Sequence, residues 1–281
     1  MTDADGGFAL RRIVVAIDSS AGSAAALDAV AALAARLQAE LEGLFVEDVN
    51  LARLAELPVG REICFNGVCR DFTAVQLAAQ YREQAAVARR ALAAAAARAR
   101  IACAFRVARG QVDVEIMSAA GSADLLVLGT GASALGRRGR LGRTARTAAE
   151  RAPRSVLIAK PGAWALAAPL VYYDGSPGAR RALAAAARIA GGRDGALTVL
   201  IVAAAVDRAA ALRAEVTALL APYEAQPAFL HGGQPAPAEI CRLAARAGAD
   251  VLVIAADAAL TAAPDRLALL ETIACPVLLV R

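Results

Sequence analysis

An internal repeat constrains the fold of this chain more than any other feature of its 281 residues. With Asp18 placed on Asp174, IVVAIDSSAGSAAALDAVAALAARLQAELEGLFV at 13–46 runs without a gap against LVYYDGSPGARRALAAAARIAGGRDGALTVLIV at 170–202. Each segment reads as a short apolar strand, an aspartate at its end, a Gly/Ser turn, an Ala/Leu helix and a second strand. A repeat of this size indicates that one structural unit is present twice in tandem.

The far ends of the two copies match as well. The segments ADLLVLG at 123–129 and SVLIAK at 155–160 return as ADVLVIA at 249–255 and PVLLVR at 276–281. The duplication therefore predicts a first domain at 1–162 and a shorter second domain at 168–281, joined near Pro161–Pro169. The first domain also contains an insert at 47–73, read as irregular, which the second domain lacks.

Short, continuous apolar runs alternate with longer helical stretches in both copies. Runs that are apolar on both sides are what parallel strands covered by helices require. The predicted strands lie near 13–17, 42–46, 103–108, 124–129 and 155–159, and again near 169–173, 197–202, 227–231, 250–255 and 276–280. Helices of the first copy are predicted near 22–40, 74–100, 112–121 and 143–152. The alternation indicates an α/β fold: two tandem copies of an open, doubly wound, Rossmann-like sheet of five parallel strands.

A glycine-rich loop, GTGASALGRRGRLGRTA at 129–145, directly follows the fourth predicted strand of the first copy. Sheets of this class bind ligands at the carboxyl ends of their strands, where the strand order reverses. Glycine-rich backbone that enters a helix N-terminus offers N–H donors to a phosphate. The loop does not match a P-loop, which would need glycine at Arg137 and lysine at Arg143, and it lacks the acidic residue of a dinucleotide fingerprint.

The whole arrangement resembles the universal stress protein family in its tandem, two-domain form. The resemblance rests on the strand-end aspartates (Asp18, and Asp174-Gly175-Ser176), the DLLVLG strand, and the run Leu141-Gly142 … Ala152-Pro153 … Ser155-Val156-Leu157. It covers nearly all of both copies. It implies a stress-response or regulatory protein that binds an adenine nucleotide such as ATP, with a divalent cation such as Mg²⁺, and is not a turnover enzyme.

The resemblance also implies where the nucleotide loop lies. In nucleotide-binding members this loop has glycine, two residues, glycine, nine residues, and then glycine followed by serine or threonine. On this chain the pattern falls on Gly129, Ala132, Gly142 and Arg143, so alanine replaces one glycine and arginine replaces the hydroxyl. An arginine can itself bind phosphate, because its guanidinium supplies charge and paired donors.

Roles for individual residues follow from the same resemblance. Asp18 would contact ribose or adenine, and Val46 would frame the base. The floor would be formed by Leu128 and Gly129. The phosphates would be held by Gly142, Arg143 and Thr144.

The second copy has no such loop. After its fourth strand it reads Ala255-Ala256-Asp257-Ala258-Ala259, so a carboxylate stands where a phosphate would lie. Like charges repel, and we expect the second copy to be free of nucleotide. Its expected role is structural: it would present its last strand to the first copy, as two separate chains pair in a family homodimer. A further pairing of tandem chains through exposed last strands would give a homodimer.

Two other functions stay open. A scaffold that has lost nucleotide and works through its surfaces would fit Ala132 and Arg143, and the insert is a candidate lid or surface for an unidentified protein partner. An enzyme that cleaves ATP at its α-phosphate would normally carry a Ser-Gly-Gly-x-Asp-Ser-like loop, which Asp18-Ser19-Ser20-Ala21-Gly22 does not supply. In the insert, Cys64 and Cys69 are read as free thiols, since a metal site would want further ligands.

Composition narrows the remaining classes of partner. The net charge is only +5 and aromatic residues make up 4%, which argues against a nucleic-acid binder that stacks bases. No apolar run approaches the ~20 residues that a membrane-spanning helix needs, and 1–10 does not resemble a signal peptide. The sequence is therefore interpreted as that of a cytoplasmic protein.

Overall fold

The computed structural model describes residues 10–18, 21–56, 61–63, 69–71, 73–130, 141–162, 164–191, 195–258 and 263–281. In the first half the elements run in this order: β1 (Arg12–Ala16), α1 (Ala21–Leu37), β2 (Glu40–Asp48), α2 (Val49–Ala55), β3 (Arg61–Ile63), β4 (Cys69–Asp71), α3 (Ala74–Ala99), β5 (Cys103–Gly110), α4 (Val112–Ser122), β6 (Leu125–Gly129), α5 (Arg143–Arg151) and β7 (Ser155–Ala159).

The second half repeats this order without the insert. Its elements are β8 (Pro169–Tyr173), α6 (Pro177–Ala190), β9 (Leu197–Val202), α7 (Val206–Leu220), a 3-10 turn (Ala221–Tyr223), β10 (Pro227–Gly232), α8 (Pro237–Arg246), β11 (Val251–Ala255), α9 (Ala263–Thr272) and β12 (Val277–Val280). The predicted alternation of strands and helices is thus confirmed, with boundaries that differ by a few residues.

Both halves contribute to one ten-stranded sheet, in the order β10-β9-β8-β11-β12-β7-β6-β1-β2-β5. Within each half the neighbouring strands are parallel. The halves meet where β12 pairs antiparallel with β7. The strand order therefore reverses twice, between β1 and β6 and between β8 and β11, and the chain forms the expected pseudo-dimer of two doubly wound sheets.

Helices cover the sheet because its central strands are apolar throughout. Every residue of β7, β8 and β11 is buried, the pattern of strands with helices on both faces. Helix α1 packs on α3 and α6, while α4 packs on α5 and α8 packs on α9. Close packing on β2 requires a glycine, because a Cβ at Gly43 would lie 2.6 Å from Leu92 Cδ2 of α3.

Polar contacts reinforce the seam between the halves. Glu271 of α9 accepts a hydrogen bond from the Leu141 backbone N–H (3.3 Å) and pairs with Arg146 of α5 (3.4 Å). Arg281, after β12, donates to the Ala149 carbonyl at the end of α5 (2.7 Å). The second half therefore holds both ends of α5, the helix that follows the glycine-rich loop.

Two expectations from the sequence are wrong. The insert is not irregular throughout, since it contains α2 and an antiparallel hairpin of β3 and β4. A homodimer through exposed last strands is also excluded, because β7 and β12 lie in the middle of the sheet and pair with each other. Among the described strands, the ends of the sheet are β5 and β10. Across the described residues, no helix is both long and apolar enough to span a membrane.

Candidate functional site

A cleft of about 420 Å³ lies where the strand order of the first half reverses. Its lining comes from the carboxyl ends of β1, β2 and β6, from the first turns of α4 and α5, and from α2 and α3. Parallel strands bring their carboxyl ends to one edge of the sheet, and the crossover helices leave a crevice there at the reversal. The volume falls in the range typical of sites for small molecules.

Apolar side chains form much of the cleft wall. Val46 of β2 is half-buried, Leu128 of β6 is buried, and Ile116 of α4 is buried beside them. Leu51 of α2 brings the insert to the rim, where 42% of the residue is exposed. Such walls suit a flat, weakly polar group such as a nucleobase.

Tyr81 of α3 fixes the end of β2 at the edge of the cleft. Its hydroxyl lies 3.2 Å from both the N–H and the carbonyl of Asp48, and its ring meets Phe45 edge-on with centroids 6.3 Å apart. Burial raises the pKa of the Tyr81 phenol, so the hydroxyl stays neutral at physiological pH. The Asp48 side chain accepts from the Asn50 N–H and caps α2, which orients the start of the insert.

The polar end of the cleft is the start of α5. The Gly142 N–H donates to the Thr130 carbonyl (2.7 Å), which brings the two ends of the glycine-rich loop together. Gly142 has an extended backbone (φ −60°, ψ 159°) and no capping side chain among the described residues. The first N–H groups of α5, on Arg143 and Thr144, therefore meet no capping side chain there, and the helix dipole adds positive potential.

Asp113, in the first turn of α4, contacts both side chains at this helix start. The Thr144 hydroxyl donates to Asp113 Oδ1 (2.6 Å), and Arg143 Nε lies 3.2 Å from Asp113 Oδ2. The Arg143 side chain is 90% exposed, so its remaining donors face solvent. One carboxylate thus holds the two side chains that the sequence assigns to phosphate.

The structure brings most of the predicted site residues to this one cleft. Asp18, Val46, Leu128, Gly129, Gly142, Arg143 and Thr144 all line it. Ala132 lies outside the described residues. Whether the lining residues bind a nucleotide stays a prediction.

Several residues at the cleft escape prediction from the sequence. Asp113 does not follow a strand, so its position in the sequence does not mark it as a site residue. It lies in a helix 30 residues before Arg143 and contacts it because α4 packs on α5. Glu271 reaches Leu141 from the second half of the chain, 130 residues away. Tyr81 lies in the middle of α3, where an aromatic residue is ordinarily read as core.

At the corresponding point of the second half, side chains near the ends of β8 and β11 contact the start of α6. Asp257, after β11, lies against the start of α6, because a Cβ at Gly178 would be 2.0 Å from Asp257 Oδ1. Arg181 of α6 pairs with the same carboxylate at 3.5 Å. Asp174 accepts from the Ser176 N–H (2.9 Å), and Ser176 caps α6 through the Ala179 N–H (3.1 Å).

A second cleft, of about 440 Å³, lies on the other side of Tyr81. It has charged walls of both signs, from Glu47 and Glu56 and from Arg82 and Arg109.

No group of three or more histidine, cysteine or acidic residues suited to a metal ion occurs in the described parts of the chain.

The same architecture occurs in solved structures along almost the whole chain. A universal stress protein from Archaeoglobus fulgidus DSM 4304 superposes with a TM-score of 0.71 at 18% identity, over 98% of this chain and 97% of its own. The chain has the universal stress protein fold. A functionally unknown protein from Pseudomonas aeruginosa PAO1 gives a TM-score of 0.59 at 19% identity, over 97% of this chain and 92% of its own.

A protein provisionally assigned to the universal stress proteins, from Pseudomonas aeruginosa UCBPP-PA14, gives a TM-score of 0.58 at 20% identity, over 97% of this chain and 93% of its own. No protein-family model matches the chain, and no curated protein sequence does. At these identities the likeness establishes the universal stress protein architecture, and function has to be argued from the site.

Proposed function

We propose that the chain is a tandem universal stress protein of the cytoplasm that binds one adenine nucleotide in its first half and acts in a stress response without turnover. The observation that carries this proposal is the cleft at the strand reversal, with apolar walls at one end and the start of α5 at the other. A nucleobase favours the first environment, and a phosphate favours the second.

The predicted residues that the structure describes have roles consistent with their environments. Val46 and Leu128 would enclose the base, and the exposed carboxylate of Asp18 would accept from ribose hydroxyls or from the adenine amino group. The backbone N–H groups of Arg143 and Thr144 would donate to phosphate oxygens. Gly142 would let the phosphates approach, since it has no side chain to exclude them.

The domains at 1–162 and 168–281 would have different roles in nucleotide binding. The first would hold the nucleotide, and the second would hold α5 through Glu271 and Arg281. Asp257 supports the proposal that the second domain takes no nucleotide, because its carboxylate follows β11 at the strand reversal and would repel a phosphate there.

The test begins with the nucleotide content of the purified protein. Denatured protein would be cleared and its supernatant separated by ion exchange, and the stripped protein would then be titrated with Mg-ATP by calorimetry while ADP release is monitored. We expect about one equivalent per chain, because the proposed site lies in the first half alone, and no release of ADP above the buffer rate. No bound nucleotide and no heat at millimolar ATP would overturn the proposal.

Two arginine variants sharpen this titration. Arg143→Ala should weaken ATP about fivefold, since a solvent-exposed charge contact contributes about 1 kcal/mol. Arg181→Ala is the matched control, because Arg181 also lies in the first turns of a helix at a strand reversal and also pairs with an aspartate. It should leave ATP affinity unchanged.

A second candidate is a scaffold that works through the insert. The observation in its favour is that α2 exposes two leucines, Leu51 at 42% and Leu54 at 48%. Leu51 and Leu54 are three residues apart and so share one face of α2, and a contiguous exposed apolar patch marks a contact site for a protein. A titration that shows no nucleotide binding, together with partner capture that Leu54→Glu abolishes, would favour this function.

A further inference from the structure

The carboxylate of Asp113 contacts one donor of each polar side chain at the start of α5. It accepts the Thr144 hydroxyl at 2.6 Å through one oxygen and lies 3.2 Å from Arg143 Nε through the other. This is the pattern in which one anion bridges two neighbouring donors. The Asp113 side chain is 30% exposed, so its charge is only partly screened by solvent, although the Arg143 end of the pair is 90% exposed.

A phosphate held by the first N–H groups of α5 would compete with Asp113 for the Thr144 hydroxyl. A threonine hydroxyl has one proton, and Thr144 gives that proton to Asp113. An ionised phosphate accepts hydrogen bonds but does not donate them, so it can engage the Thr144 hydroxyl only if Asp113 releases it. The carboxylate would in addition repel any phosphate held at the first turn of α5.

We infer that Asp113 is a specificity-determining residue that lowers the affinity of the cleft for a phosphate chain relative to a nucleoside. This inference rests on the proposed nucleotide site and adds a residue that sets its selectivity. Val112 and Ile116, on either side of Asp113 in α4, line the cleft, whereas Asp113 acts on it through Arg143 and Thr144. A nucleoside, which has no phosphate, would be indifferent to this carboxylate.

The test compares adenosine with ATP on the stripped full-length protein and on Asp113→Asn. Asparagine keeps the shape and an oxygen that can accept from Thr144, and it removes the charge. Asp113→Asn should bind ATP about tenfold more tightly at low salt, because a like-charge contact is removed, with a smaller gain at high salt. Adenosine affinity should change by less than about twofold, since no charge on adenosine meets Asp113.

Two further variants make the comparison specific. Glu115→Gln removes the same charge two residues along α4, where the side chain faces away from Asp113, and it should leave both affinities as they are. Asp113→Glu restores the charge and should return ATP affinity toward the original value. If Asp113→Asn does not fold, Asp113→Ser removes the charge while its hydroxyl can still accept from Thr144.

The outcomes distinguish the inference about Asp113 from the proposed nucleotide site. Tighter ATP with unchanged adenosine supports the inference, even if the unaltered chain binds no ATP. Unchanged or weaker ATP binding in Asp113→Asn, or an equal gain in Glu115→Gln, overturns the inference and leaves the nucleotide site standing. If neither ligand binds any variant, both the site and the inference are wrong.

Discussion

The two points of strand reversal have the same topology and different contents. Between β1 and β6 a cleft of about 420 Å³ remains, and the helix start beside it has no capping side chain among the described residues. Between β8 and β11, Ser176 caps α6 and Asp257 lies against Gly178. The comparison teaches that the same strand reversal leaves a cleft in the first half, whereas in the second half the carboxylate of Asp257 lies against the neighbouring helix α6.

The two halves of the sheet also differ in the charged residues on their strands. In the first half, Glu42 of β2 pairs with Arg12 of β1 and Arg106 of β5. The positions that correspond to Glu42 and Arg106 in the second half are Thr198 and Leu230, by the same strand registers. Burial alone would raise the pKa of the Glu42 carboxyl, but the bonds and charges from Arg12 and Arg106 outweigh it and hold that pKa below its usual range. At these strand positions, ion pairs therefore stabilise the first half and have no counterpart in the second.

The largest expected effect comes from giving the first reversal a carboxylate, which the second reversal has in Asp257. Gly142→Asp would place that carboxylate at the start of α5, beside the cleft. ATP affinity should fall at least about a hundredfold, because repulsion between a carboxylate and a phosphate costs several kcal/mol. Calorimetric titration checks this. Gly233→Asp is the control, since a Cβ there meets nothing within 4 Å, and equal loss in both variants would contradict the account.

A smaller effect, on stability, is expected from a substitution at the strand reversal of the second half. Gly178→Ala would press a methyl group against Asp257 Oδ1 at 2.0 Å and Ala255 Cβ at 2.9 Å. The free energy of unfolding should drop by about 1–3 kcal/mol, the usual cost of overpacking, and chemical denaturation measures it. Gly121→Ala in α4 is the control, because open space there should yield a gain of about 0.5–1 kcal/mol. No loss in Gly178→Ala would mean that Asp257 does not lie on α6.

The smallest effect concerns pH and the first half alone. The folded-state pKa of Glu42 is lowered, so its stabilising effect is complete above its unfolded pKa and is lost as the pH falls through the folded value. Glu42→Gln should therefore cost about 1–2 kcal/mol at pH 7, because the arginines are half exposed, and the difference should close below about pH 4. Denaturation curves across pH test this. Thr198→Val should show no such dependence, and a parallel dependence in both variants would contradict the comparison.

The sequence predicts the sheet well for a physical reason. Strands buried on both faces, such as β7, β8 and β11, appear as continuous apolar runs, so their positions follow from composition alone. The sequence does not predict the short elements of the insert. Helix α2 and the β3–β4 hairpin depend on local caps and strand pairing, which few residues indicate. Strand-end residues such as Asp18 can be located from topology, whereas Asp113 and Glu271 act across helix packing, which no local pattern encodes.

The most direct test of the account asks which half of the chain holds the nucleotide. Stripped protein would be irradiated with 8-azido-ATP, digested, and its labelled peptides identified by mass spectrometry, with unlabelled ATP as competitor. The account predicts label that ATP competes away and that lies on peptides of 1–162, near the end of β2 or on α3. Competed label on peptides of 168–281 would contradict it, because the second reversal would then be the open one.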